Sequence, residues 1–178
     1  MYEVELKVAT DHEAVRERLE ALGADRVRHV VQTDTYYDAP HRDFAETDEA
    51  VRVRREREDE SETVKLTYKG PLVEAESKTR REHETVVEDP DAVDGILQGV
   101  GFSPAFTVEK ARTFYHIDGY TVTLDDVTDL GEFVEVETEA EAVEPAREGA
   151  IEVLRRLGLD PDEQIRTSYL GLLLDTPQ

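Results

Sequence analysis

Cysteine is absent from the 178 residues. That excludes disulfides, thiolate zinc centres and cysteine nucleophiles, and leaves carboxylates and histidines as the protein's metal ligands. Histidine is sparse too: His12, His29, His41, His83 and His116 show no zinc-type spacing, so any bound metal should be a hard, oxygen-preferring cation. No apolar run approaches the length that spans a bilayer, and the first residues alternate like a strand, unlike the apolar core of a signal peptide. A soluble, cytoplasmic protein with no membrane partner is therefore expected. The G-x-x-x-x-G-K-[ST] and G-x-G-x-x-G phosphate loops are missing. Lysine is scarce as well: Lys7, Lys65, Lys69, Lys78 and Lys110 are five of the 21 basic residues, the rest being arginine. None of the five lies in a predicted helix, so each is a candidate for a place where an ammonium has a specific task.

Acid is what the chain has in excess, with a formal net charge of -22. Such a balance disfavours duplex nucleic acid as a partner. The apolar periodicity nevertheless specifies a fold and not disorder. At ~1 M salt the Debye length falls to ~3 Å, and a carboxylate-rich surface then repels itself little. A salt-adapted cytosol is the hypothesis this raises. The length and the 38% apolar content are enough for one core, and residues 1–178 are expected to form a single domain.

Residues 2–8 alternate strictly, with Tyr2, Val4, Leu6 and Val8 on one face and Glu3, Glu5 and Lys7 on the other, which is the period of a strand. Thr10 with Glu13 reads as a capping box, and Val15, Leu19 and Leu22 recur at helical spacing up to Gly23, giving a helix over 11–22. Further strands are predicted at 27–37, 51–57, 63–69, 80–88, 106–117, 120–127 and 132–139, eight in all. A polar loop around Pro40 runs to about Glu49, and Asp118-Gly119 marks a hairpin turn. Asp89 as cap and Pro90 at the first helical position start a helix that ends at Gly101. Another helix begins near Pro145, and a short one covers 167–174.

Several strands repeat one design, with apolar residues facing one way and formal charges the other. Val51 and Val53 oppose Arg52 and Arg54, and Val64, Leu66 and Tyr68 oppose Lys65, Thr67 and Lys69. Val108 departs from the pattern by sharing a face with Lys110 and Arg112. Carboxylates recur in two-residue steps at Glu3/Glu5, Glu82/Glu84 and Glu135/Glu137, with Arg80 on the face of the middle pair and Asp125 on a strand between these groups. Same-face neighbours lie about 7 Å apart, so like charges there repel by about 2 kcal/mol at an effective dielectric near 20. Solvent would screen this on an open sheet face. In an enclosed space it is tolerable only if a guest of opposite sign fills the space. A polyphosphate would meet the cations, and a hard divalent cation would bridge the carboxylates to phosphate oxygens.

Taken in order, these stretches resemble the CYTH family of triphosphate tunnel metalloenzymes, and most of all its class IV adenylate cyclase branch. The matching stretches are Glu3-Val4-Glu5-Leu6-Lys7, Asp34-Thr35-Tyr36-Tyr37-Asp38, Val51-Arg52-Val53-Arg54, Lys65-Leu66-Thr67-Tyr68-Lys69-Gly70-Pro71, Arg80-Arg81-Glu82-His83-Glu84, Lys110-Ala111-Arg112 and Leu130 through Glu137. The resemblance implies an α+β fold: an eight-stranded antiparallel β-barrel, or tunnel, with helices packed outside. It implies Mg²⁺ or Mn²⁺ as cofactor and a triphosphate as partner, either ATP or inorganic or thiamine triphosphate. Metal positions by resemblance are Glu3, Glu5, Asp125, Glu135 and Glu137, with Glu82 and Glu84 as additions. Lys7, Arg52, Arg54, Lys65, Lys69, Arg80, Lys110 and Arg112 would contact phosphate, and Glu5, Lys7, Arg54, Asp125 and Glu137 would be catalytic. The facing of Lys78 stays open. Three readings remain: a cyclase, a triphosphatase and a non-catalytic triphosphate-binding module. The cyclase branch points to a homodimer.

Overall fold

In a computed structural model, which describes residues 1–175, the chain forms a nearly closed antiparallel β-barrel. The strands are β1 (Tyr2–Ala9), β2 (Asp25–Asp38), β3 (Ala50–Glu58), β4 (Ser61–Lys69), β5 (Lys78–Arg80), β6 (Glu82–Val86), β7 (Ser103–Ile117), β8 (Tyr120–Val127) and β9 (Gly131–Ala140). They lie in the order β5-β1-β9-β8-β7-β2-β3-β4-β6. There are nine strands where eight were expected, because 80–88 is not one strand. β5 pairs with β1 and β6 with β4, so the two edges of the sheet are consecutive in the chain and only Arg81 separates them. That join brings the two sheet edges side by side, which leaves the barrel nearly closed.

The helices are α1 (His12–Ala21), α2 (Phe44–Thr47), α3 (Pro90–Gly99), α4 (Val143–Arg156) and α5 (Tyr169–Asp175). Asp89 caps α3 with Pro90 in its first turn, as predicted. The cap of α1 is Asp11 and not Thr10: the Asp11 carboxylate accepts from the amide of Glu13, while the Thr10 amide is spent on the carbonyl of Glu132. The predicted polar loop before β3 holds the short helix α2, capped by Asp43. At the β7–β8 turn Asp118 and Gly119 both have positive φ, 50° and 83°, the backbone that suits a two-residue hairpin.

The outward faces of the strands make the hydrophobic core. Leu6, Val8, Val122, Leu124, Val134 and Val136 pack under Val15 and Leu19 of α1 and under Ala150, Val153 and Leu154 of α4. Each such side chain contributes about 1.5–3 kcal/mol by burial. α4 sits close enough that a Cβ on Gly149 would meet the Tyr120 hydroxyl oxygen, which itself donates to the Ala146 carbonyl. On another flank Val53, Val64 and Tyr37 pack under Val93 and Leu97 of α3. His83 faces outward, stacked on Tyr68.

All five lysines sit on strands, with side chains no more than 24% exposed. The solvent-facing shell is thus left to carboxylates and arginines. Stability should therefore rise from dilute buffer to about 1 M salt as the shell is screened. Urea midpoints measured across that range would check this, and a flat midpoint would contradict it.

Candidate functional site

The inner faces of the strands enclose a cavity of about 890 Å³, large enough for a nucleotide-sized guest. Glu3, Glu5, Arg52, Arg54, Lys65, Lys69, Arg80, Lys110, Arg112, Glu135 and Glu137 all line it. Lys7 and Asp125 lie on the same inner faces and are fully buried. Lys78, whose facing the sequence left open, also lines the cavity, 3.4 Å from the Glu5 carboxylate.

The charges are grouped by strand register. Asp34, fully buried, receives two bonds from the Arg54 guanidinium at 2.7 and 2.8 Å, with the Lys110 ammonium at 3.5 Å and Arg52 at 4.0 Å. Burial alone would raise its carboxyl. Arg54, Lys110 and Arg52 outweigh that and hold it well below the usual carboxylate range. Arg112 forms a second hub, bonded to Asp125 at 2.6 and 3.2 Å and to Glu135 at 2.9 Å. Gln32 links this hub to Glu56, which also pairs with Arg28. Lys69 bridges Glu3 at 3.4 Å and Glu82 at 3.1 Å. Much of the cationic wall is therefore neutralised from within, not by a guest alone.

The carboxylates that most crowd one another mark the site. Glu3, Glu5 and Glu137 each place a carboxylate oxygen within 4.8 Å of the other two. Glu137 is pushed well above the usual range, first by burial and then by Glu3, Glu135 and Glu5; burial also raises Glu3. Crowded carboxylates that resist ionising together are a suitable donor set for a hard divalent cation, whose charge would relieve them. Asp125 and Glu135 belong instead to the Arg112 hub, so the five expected metal positions divide into a mutually crowded three, of which Glu3 and Glu5 also meet Lys69 and Lys78 at 3.4 Å, and the two bound to Arg112. Among the cations, Lys7 has no carboxylate partner within 4.0 Å among the described residues. It donates to the Thr167 carbonyl at 2.5 Å and lies 4.3 Å from the centre of the Tyr169 ring. Arg52 reaches Asp34, Glu82 and Glu84 only at 3.8–4.0 Å, and its buried Nε has no partner among the described residues.

Tyr169 carried no signal in the sequence. It arrives from the C-terminal segment, donates to Asp125 at 2.6 Å, and packs on Val108, Val127 and Phe133. This explains why Val108 breaks the alternation: an inward apolar residue is needed where an aromatic ring enters the bore. Asp34 and Gln32 were also missed as site residues, because both sit in a β-branched and aromatic stretch that reads only as a strand.

An antiparallel barrel with its ions in the bore and its apolar side chains on the outside is a charged tunnel. This chain belongs to the CYTH family, whose domain matches residues 1–169. A candidate adenylate cyclase of Methanocaldococcus jannaschii is 37% identical over 176 residues, covering 97% of this chain and 98% of that protein. A Pyrococcus horikoshii protein of known structure is 39% identical, with a TM-score of 0.90 over 97% of this chain and 98% of its own. A candidate adenylyl cyclase of Hippeastrum, described as having a dominant triphosphatase activity, shares the fold at 16% identity with a TM-score of 0.70, covering 97% of this chain and 94% of that one. Members of the family act as adenylate cyclase-like or triphosphatase enzymes on triphosphates such as ATP, and are generally dependent on divalent metal.

Two outcomes follow from the geometry. Asp34→Asn strips the counter-charge from Arg54, Lys110 and Arg52 and should cost about 3–5 kcal/mol of stability, read as a lower urea midpoint that tripolyphosphate partly restores. The second concerns protons. Burial, with Arg112 and Arg54 nearby, lowers the Lys110 ammonium from 10.5 to about 7. The unfolded chain keeps that proton to higher pH, so between about 7 and 10.5 the folded state binds fewer protons and this group's contribution to stability rises with pH. An anion in the bore raises the lysine again. Binding of metal-free tripolyphosphate at about pH 8.5 should therefore take up protons, measured calorimetrically in two buffers of different ionisation enthalpy. Lys110→Met should diminish the uptake.

Proposed function

We propose that this single-domain protein is a divalent-metal-dependent enzyme that converts ATP to cyclic AMP and pyrophosphate inside the tunnel. One observation carries the reading: Glu3, Glu5 and Glu137 crowd their carboxylates together, with only Lys69 and Lys78 at 3.4 Å from the first two, on the wall of a cavity also lined by Arg52, whose guanidinium meets carboxylates no closer than 3.8 Å. That pattern complements a triphosphate together with its metal.

Glu3, Glu5 and Glu137 would hold Mg²⁺ or Mn²⁺, which when bound neutralises phosphate charge and eases departure of the pyrophosphate. The chain's own residues do the rest. Arg52 and Arg54 present forked donors suited to phosphate oxygens, while Lys7, Lys65, Lys69 and Lys110 add compact positive charge. Arg80, fixed by the carbonyls of Asp48 and Gly70 at 3.1 Å, and Arg112, held by Asp125 and Glu135, supply cations that need no reorganisation as charge develops. Cyclisation then needs the ribose 3′ oxygen aligned on the α-phosphorus, a matter of positioning. Asp125 and Glu135 act through Arg112 in this scheme, as positioning residues.

The Hippeastrum likeness favours a second reading, a triphosphatase in which water attacks the terminal phosphorus in the same charge cage. The acidic outer shell supports a high-salt cytosol as the protein's setting, and the cyclase branch supports a homodimer.

Incubation with ATP and Mn²⁺ followed by product separation tests the proposal. Cyclic AMP with pyrophosphate is expected, inorganic phosphate would select the triphosphatase, and binding without turnover would leave a binding module. Glu5→Gln and Glu137→Gln should each lower the metal-dependent rate on the order of a hundredfold with little change in stability. Unaltered rates in both would remove the triad from the site.

A further inference from the structure

The inner face changes character one step beyond the ionic hubs. Strand register places Val108, Asp34, Arg54 and Lys65 in one row across β7, β2, β3 and β4. The next row on the same face, about 7 Å along the strands, holds Phe106, Tyr36 and Arg52. Directly opposed residues on neighbouring strands bring their Cβ atoms to about 5 Å. Arg52, whose buried Nε has no partner among the described residues, therefore stands directly beside an aromatic pair. Tyr36 is half-buried and packs against the buried cluster of Val108, Val127, Phe133 and Tyr169. Phe106 is 36% exposed, a large ring left open to the cavity mouth. Phe44 of α2 and Leu174 of α5 line the same cavity, and Leu174 is also exposed.

Apolar side chains left wet at the lip of an otherwise ionic bore contribute little to the fold. They gain by covering a flat ring whose charged tail lies among the cations. Resting on the triphosphate reading, we infer that Phe106, Tyr36 and Phe44 form a shelf that receives a flat heteroaromatic group carried by the triphosphate, with Arg52 taking the phosphate nearest that group. The shelf is the part of the site that sets specificity, since inorganic triphosphate fills the ionic rows and leaves the aromatic row bare. It reads ring faces and not ring edges, so several bases should be accepted with similar affinity.

Calorimetric titration of wild type, Phe106→Ala, Phe106→Trp and Phe44→Ala with tripolyphosphate, ATP, UTP and thiamine triphosphate, in Ca²⁺ to suppress turnover, tests this. Phe106 is exposed enough that its truncation should leave the melting temperature unchanged. The expected result is an ATP affinity lower on the order of tenfold in Phe106→Ala, a smaller loss in Phe44→Ala, recovery in Phe106→Trp, and tripolyphosphate affinity unmoved throughout. A parallel loss for UTP supports the shelf as a reader of ring faces. A loss for thiamine triphosphate but not ATP overturns a nucleotide as its occupant, whereas a loss for both supports a shelf open to either. Equal losses for ATP and tripolyphosphate, or none for either, overturn the shelf while leaving the triphosphate reading intact. Failure of the wild type to bind tripolyphosphate would instead overturn that reading, and the shelf with it.

Discussion

A charge taken out of water has to find its opposite within a few ångströms, and this barrel is organised around that requirement. Its strands turn apolar residues outward to the helices and ions inward to the bore, so the desolvation cost falls on the inside. Asp34 shows how it is offset. One carboxylate with no solvent exposure collects Arg54, Lys110 and Arg52, and its own ionisation is enforced by the cations it holds. Arg112 does the same with the opposite sign, between Asp125 and Glu135. These two hubs fix the directions of side chains that would otherwise repel one another along the strands.

Because the hubs nearly satisfy themselves, function is left to the residues they do not satisfy. A bore whose every ion was paired would gain little from a guest, and one with many unpaired ions would not fold. The compromise seen here leaves the weakest matching in the Glu3, Glu5 and Glu137 cluster, above all at Glu137, and at Lys7 and Arg52, which differ in what they would accept. The mutual repulsion that raises Glu137 is relieved by a divalent cation, and the loosely held guanidinium of Arg52 by a phosphate. The aromatic row next to Arg52 extends the same logic to the uncharged part of a substrate.

Much of this could be read along the chain. The period of two fixed which side chains share a face, and strand by strand it set Glu3, Glu5, Lys7, Arg52, Arg54, Lys65, Lys69, Lys110, Arg112, Glu135 and Glu137 on the charged side. Asp89 with Pro90 marked the start of α3, and Asp118-Gly119 the β7–β8 hairpin, because caps and turns are local. The split at Arg81 was not legible, since alternation continues smoothly through Arg80, Glu82 and Glu84. Only closure of the sheet requires one half to pair with β1 and the other with β4. Thr10 and Asp11 are both competent caps, and the Glu132 carbonyl on a distant strand decided between them.

The sequence by itself determined the sign and facing of the bore, because a strand alternates whatever its neighbours are. It also confined every lysine to a strand. The tertiary structure decided which ion meets which. The division of the five acidic positions into a triad and the Arg112 pair depends on register between strands far apart in the chain. The entry of Tyr169 beside Lys7 and Asp125 likewise depends on where a C-terminal segment lands, and pairings between segments brought together only by folding leave no local period to read.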